Sequence, residues 1–398
     1  MSMDIQLHVT LQDTDELKVA WRTGGREFPA YAVDRLMIEE YSKAARDALL
    51  VMAREAVKSA DSSATTQSLR VVMRSGKKLY ESLFINRQGA LQNRIRTWLE
   101  TRTAACAQSG TAVYLHIYCD RRLYVPWGLV FQDSDDVVDS NSGSIEDSHG
   151  LWALKYRLSA TMVPLEPEPS WLPRPSGTPI LTVRNATVYS NVLKALRQIA
   201  PAETAFVEAF LQSQPNIAAN SSGEFFAVMA KERARVGILH FFCHADGSRL
   251  ELDVQDCISV SDFKRATVAS DPSEYPTRFV FLNGCATAGG SPVGAFMEAT
   301  SRLGLCGLIG TETKVPAVFA LRFGSALLHD LATSGDRVVD IIYRLRRQHW
   351  PLGLIYCLYG EPFFRIDAPA APSLAAPPSF GGNFSGAAGG QEMTAESA

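Results

Sequence analysis

From residue 180 onward, short apolar runs alternate with longer stretches whose apolar positions recur every three or four residues. Ile180–Val183, Val236–Cys243, Arg278–Asn283, Gly304–Gly310 and Phe363–Ile366 read as strands. Unbroken apolar runs of this length suit a parallel sheet covered on both faces. Helices are predicted between them, at about Val192–Ile199, Thr204–Gln212, Gly223–Arg233 and Ser261–Val268. Three later helices carry terminal signals. Ser291-Pro292 pairs an N-cap with proline at the first helical position, Val293, Phe296, Met297 and Thr300 follow at helical spacing, and Gly304 ends the run. Pro316 and Gly335 bracket the next, and Asp336 is the expected cap of a third, whose Val338, Val339, Ile342 and Leu345 line one face.

The first half is less regular. Ile5–Val9 and Leu17–Trp21, broken by Asp13, Gly24 and Gly25, read as a hairpin or meander. Asp34 to about Lys58 has no Gly or Pro and is predicted helical; a second helical stretch at Thr65–Leu99 is expected to break near Gly76 and again near Asn86. A strand follows at Ala112–Tyr118, and Pro126 is expected to bend Leu123–Phe131 between two extended pieces. The acidic, Ser-rich segment Asp133–Ser148 has the composition of a mobile loop. Six prolines in Pro164–Pro179 mark a connector. The predicted regions are therefore 1–60, 61–170, 171–367 and a disordered Ala-, Pro- and Gly-rich tail, 368–398.

With 398 residues, 46% of them hydrophobic, the chain can bury a large core. A net charge of −3 with scattered Lys and Arg excludes a nucleic-acid footprint as the primary expectation. No apolar run approaches the ~18 residues a membrane span needs, and Met1-Ser2-Met3-Asp4 lacks the features of a secretory leader, so a cytoplasmic protein is expected. The seven cysteines form no CxxC pair, and the seven histidines do not join them at zinc spacing. No structural or catalytic metal is expected.

Two apolar runs end abruptly in reactive side chains: Phe241-Phe242-Cys243-His244-Ala245-Asp246-Gly247 and Phe281-Leu282-Asn283-Gly284-Cys285-Ala286-Thr287-Ala288. Open α/β sheets hold their ligands at the carboxyl ends of the strands, where a histidine and a cysteine would meet as base and nucleophile. In that arrangement His244 acts as general base and acid, and the backbone N–H groups of Cys285 and of Ala245, after the histidine, form the oxyanion hole. Gly284 supports Cys285 by allowing close backbone approach. Asp246, Asp262 and Glu312 fall near strand ends. Asp246 and Glu312 are candidate substrate-binding residues for a basic side chain, although a solvated loop carboxylate is the commoner outcome. Cys106, Cys119, Cys243, Cys257, Cys306 and Cys357 read as packing residues, and His240, inside its strand, as a structural histidine.

Taken together the two segments resemble the caspase-like CHAT family of cysteine peptidases, whose histidine motif ends a strand as Cys-His-Gly and whose cysteine motif is similar to Leu-Ser-Ala-Cys. The likeness extends to Ser75–Phe84, Val125–Val130, Gly304–Thr311 and Tyr359-Gly360-Glu361-Pro362, in the family's order, covering about residues 70–367. Ala245 stands where the family has glycine, and Gly128 where it usually has glutamate. The resemblance implies a caspase-like three-layer α/β/α sandwich with a mostly parallel sheet, preceded by a mixed α+β, degenerate pseudo-caspase-like half. It also implies a Cys285–His244 dyad that cleaves peptide bonds in proteins with no metal or organic cofactor, and a regulated effector in bacterial stress or antiviral defence; with no helical repeat of about 34 residues in the chain, its sensor or activator is expected to be a separate protein or the N-terminal region. Two rival readings are a catalytically inactive scaffold or interaction module that kept the fold and, from the sheet alone, a nucleotide-binding protein. The second lacks any GxGxxG or GxxxxGK[ST].

Overall fold

The computed structural model describes residues 5–12, 15–58, 62–84, 89–108, 112–120, 122–133, 138, 144–163, 174–212, 216–245, 249–267, 278–284, 296 and 305–369. The chain divides into two compact units, one of residues 1–52 with 61–164 and one of residues 53–60 with 165–398.

In the first unit, β1 (Ile5–Leu11) pairs antiparallel with β2 (Glu16–Thr23), which also pairs with β3 (Arg26–Glu27) and β4 (Tyr31–Asp34). On its other edge β1 lies parallel to β5 (Val113–Asp120), and β5 parallel to β6 (Tyr156–Val163). The expected meander at residues 4–33 is thus the margin of a larger sheet. Alternate residues of β1 and β2 (Ile5, Leu7, Val9, Leu17, Val19, Trp21) are buried, the period of two that a one-sided core requires. The helix Arg35–Lys58 starts where the Asp34 carboxylate accepts from the Met37 N–H at 3.1 Å. The core centres on Trp152, with the rings of Trp21, Tyr80 and Tyr156 edge-on and Trp127 stacked.

Three expectations for this half are corrected. The helix Ser62–Ser82 runs through Gly76 without a break, and the next helix, Gly89–Gln108, is separate. Gly76 is there for close approach: a Cβ would lie 2.0 Å from the Leu129 carbonyl oxygen, and the Gly76 carbonyl accepts from the Phe131 N–H at 3.0 Å. Pro126 leads into a 3-10 turn, Trp127–Leu129, rather than a second extended piece, because its fixed φ suits a turn. Within the segment expected as a mobile loop, Glu146–Ser148 forms a 3-10 turn whose Ser148 is fully buried; residues 134–137 and 139–143 lie outside the described residues.

In the second unit β7 (Ile180–Arg184), β8 (Asn216–Ala219), β9 (Ile238–Phe242), β10 (His244–Ala245), β11 (Arg249–Glu251), β12 (Cys257–Ser259), β13 (Phe279–Leu282), β14 (Gly307–Thr311) and β15 (Tyr356–Gly360) follow in order. The main sheet has the order β8-β7-β9-β13-β14-β15, parallel throughout except for β15. Both faces are covered. Phe241 of β9 meets Phe225 and Phe263 from the helices Ser222–Glu232 and Val260–Thr267. The opposite face carries His240 and Phe281, with Tyr356 and the helix Ala317–Thr333 beyond them. Helices Ala186–Ile199 and Pro201–Gln212 pack on that helix. The protein is therefore α/β, with mixed, mostly parallel sheet structure. No described helix is long and apolar enough to cross a membrane.

The predicted strand at Phe363–Ile366 is not formed; Ile366 makes one isolated bridge to Arg174, and the closing strand is β15. Phe364 is buried as a single ring stacked on Phe279, and Pro362 withholds the donor that a continued ladder needs. Asp336 does not cap its helix. Arg337 occupies the N-cap position of Val338–Gln348, while Asp336 accepts from Arg344 at 3.1 Å. Of the predicted Ser291-Pro292 helix only Phe296 is described, helical and buried against Phe263, and residues 370–398 of the expected tail lie outside the described residues.

Candidate active site

The carboxyl ends of β9 and β13 lie side by side, with Phe241 in register with Leu282. His244 and Cys285 each follow that rung by three residues. Cys285 and Asp246 lie outside the described residues; His244, Ala245 and Gly284 are within them.

His244 enters a second, three-stranded antiparallel sheet, β10-β11-β12, set at the end of β9. The register pairs His244 with Glu251 and Ala245 with Leu250. The imidazole is 26% exposed, and its Nε2 stands 4.0 Å from Glu251 Oε2. Its Nδ1 is buried and has no hydrogen-bond partner among the described residues. A buried ring nitrogen without a partner costs desolvation energy, of the order of 1–3 kcal/mol; His8 Nε2 and His329 Nε2 are in the same state among the described residues. Ala245 lies in extended strand rather than in the left-handed region, so its Cβ brings no strain where the resembling family has glycine.

The end of β13 is pinned from three directions. The Asn283 N–H donates to Phe241 O at 2.9 Å. Its side chain is fully buried: Nδ2 donates to Ala320 O at 2.8 Å, and Oδ1 accepts from the Tyr356 hydroxyl at 2.7 Å. The Thr311 hydroxyl donates to Gly284 O at 2.5 Å. Asn283, Thr311 and Tyr356 thus fix the strand end that leads into Cys285. Asn283 stood in the sequence as a polar residue closing an apolar run, which is the one signal that marks it.

His240 is structural, as its place within a strand suggests. It is 4% exposed, contacts Thr182 Oγ1 through Nδ1 at 3.2 Å and Asn283 Nδ2 through Nε2 at 3.5 Å, and stacks on Phe281. Burial, with a smaller contribution from Arg184, pushes its pKa down to about 3, so the ring is neutral. Cys119, Cys243, Cys306 and Cys357 are buried; burial lifts the Cys119 thiol to about 12 and Cys306 well above its ordinary value, leaving both inert as nucleophiles. Glu312, offered as a substrate-binding carboxylate near a strand end, is buried rather than solvated. It is 3% exposed, with Oε1 accepting from Tyr359 at 3.3 Å, because β15 packs beside the end of β14. Asp262 is taken by Ser259 and Arg265 in its own helix turn. Among the described residues, no cluster of three or more His, Cys, Asp or Glu side chains is placed to hold a metal ion.

No family model matches the chain, and the search of curated proteins likewise found no match.

Proposed function

We propose that the chain is a caspase-like cysteine endopeptidase in which Cys285 is the nucleophile and His244 its base. The observation that carries this reading is the His244 ring: Nδ1 is buried at the carboxyl end of β9 with no partner among the described residues, and the neighbouring parallel strand leads through Gly284 into Cys285. Covalent geometry keeps the Cys285 Cα about 3.8 Å from that of Gly284. In the reaction the Cys285 thiol gives its proton to Nδ1, and the thiolate attacks the substrate carbonyl carbon. The developing oxyanion is held by the N–H groups of Cys285 and Ala245. The imidazolium then protonates the leaving amine, and water hydrolyses the acyl-enzyme. The helix-flanked sheet supports a caspase-like sandwich, and the resemblance adds a cytoplasmic effector of stress or antiviral defence that is switched on by a separate sensor protein.

The test needs no substrate. The rate of iodoacetamide alkylation at Cys285, read by peptide mass spectrometry, is followed against pH in the wild type and in His244→Ala. A catalytic pair gives fast alkylation below the ordinary thiol range near pH 8.5 that disappears with His244. A slow rate with an ordinary thiol titration, the same in both proteins, means either a catalytically dead interaction module or a zymogen not yet assembled by its activator, and a binding partner is then sought before a substrate.

A further inference from the structure

We infer that Glu251 is a positioning residue that holds the His244 ring with Nε2–H toward its carboxylate and Nδ1 free to take a proton. This rests on the peptidase reading above but concerns a residue that reading does not use. The two residues are directly opposed across the β10–β11 ladder, so their side chains rise from the same face of the ribbon. Nε2 faces Oε2 of Glu251 at 4.0 Å, and the Glu251 carboxylate has no other ion pair among the described residues. Nδ1 faces no partner among the described residues. A neutral imidazole carries one N–H, and a carboxylate accepts but does not donate; at 4.0 Å, beyond hydrogen-bond length, Glu251 favours the Nε2–H tautomer as the one whose N–H points at its charge. That tautomer leaves the Nδ1 lone pair to receive the Cys285 proton. The imidazolium so formed keeps its Nε2–H directed at Glu251, and the proton later leaves from Nδ1 to the departing amine. Glu251 gains and loses no proton in the cycle.

The magnitude is set by exposure. Glu251 is 35% exposed, so water screens its charge. Its removal is expected to cost on the order of tenfold, far below the ~10⁴-fold loss that follows the loss of a fully buried orienting aspartate.

The experiment uses the full chain with Glu251→Ala, Glu251→Gln and His244→Ala, each matched to the wild type by circular dichroism. Two quantities are read: the neutral tautomer of His244, by long-range ¹H–¹⁵N NMR of the imidazole, and the iodoacetamide rate at Cys285. The wild type is expected in the Nε2–H form. Glu251→Ala is expected to admit the Nδ1–H form and slow alkylation about tenfold. Glu251→Gln, whose amide oxygen is able to accept from Nε2–H, is expected to restore the tautomer and most of the rate. A merely structural hairpin residue would not move the tautomer. An alanine variant with the wild-type tautomer, or a glutamine variant no better than alanine, overturns the inference. An unchanged rate in His244→Ala instead sinks the dyad, and the tautomer of Glu251→Ala still decides whether Glu251 orients the ring.

Discussion

Asn283 is the residue whose removal is expected to cost most for its size. Replacing it with alanine deletes the acceptor of the Tyr356 hydroxyl, in a side chain that is 1% exposed, and the donor to Ala320 O. An orphaned buried hydroxyl costs about 1–3 kcal/mol, and the lost bond to a helical carbonyl that keeps its backbone partner about 0.5–1.5 kcal/mol. The expected destabilisation is therefore about 2–4 kcal/mol. At about 2–4 °C per kcal/mol for a unit of this size, Asn283→Ala is expected to lower the melting temperature by roughly 4–16 °C in calorimetry. Tyr356→Phe provides the internal check. Alone it strands Asn283 Oδ1, but combined with Asn283→Ala it removes the orphan, so the double variant is expected to lose at least about 1 kcal/mol less than the sum of the singles. Additive losses, or a shift under about 2 °C for Asn283→Ala, would refute the reasoning, because the network would then contribute nothing beyond packing.

Two further perturbations test other parts of the fold. Gly76→Ala would ordinarily stabilise a helix by about 1 kcal/mol, but here the added Cβ meets a backbone carbonyl at 2.0 Å, so a loss of about 2 kcal/mol or more is expected in chemical denaturation. Burial pushes His116 and His240 from 6.5 down to about 3, so between those values the unfolded chain binds protons that the native chain does not. Stability is therefore full above pH 6.5 and falls as the pH drops toward 3, by up to about 1.4 kcal/mol per pH unit for each ring. The urea midpoint of His116→Gln or His240→Gln is expected to vary less between pH 7 and 5 than that of the wild type, whatever its value at pH 7; parallel curves would show that the rings are already charged in the native state.

The strands at the centre of the second unit were legible because burial on both faces leaves a continuous apolar run, as in Phe279–Leu282 and Ile238–Phe242. The end of such a run is legible too, which is why His244 stood out. What the sequence did not show were elements whose existence depends on partners. β8 is four residues long and mostly part-exposed at the sheet edge, and β10, β11 and β12 have two or three residues each. Strands that short have no periodicity to read and exist only through their ladder. The same limit hid the polar half of the site. Glu251 meets His244 through the register of a hairpin, and Tyr356 and Thr311 reach the end of β13 from other strands, across separations that no local pattern encodes. Glu312 shows the converse limit: a charge near a strand end carries no local sign that β15 buries it.

The pinning of β13 also separates two roles that a stability measurement alone would merge. Hydrophobic packing sets the depth of a strand but is indifferent to rotation about its axis, whereas hydrogen bonds are directional. If Asn283 and Thr311 only stabilised the fold, the activity lost on their removal would track the stability lost. Thr311→Val tests this sharply, since it is nearly isosteric and deletes the hydroxyl that donates to Gly284 O. Its stability cost is expected to be small, about 1 kcal/mol. Gly284 is the residue joined to Cys285, however, and a nucleophile displaced by about 1 Å can lose about a hundredfold in rate. Thr311→Val is therefore expected to remain folded at 25 °C while Cys285 alkylation below pH 7 slows tenfold or more, a loss that equilibrium unfolding cannot supply. Equal, small effects on both quantities would mean that the hydroxyl fills space and does not aim the strand.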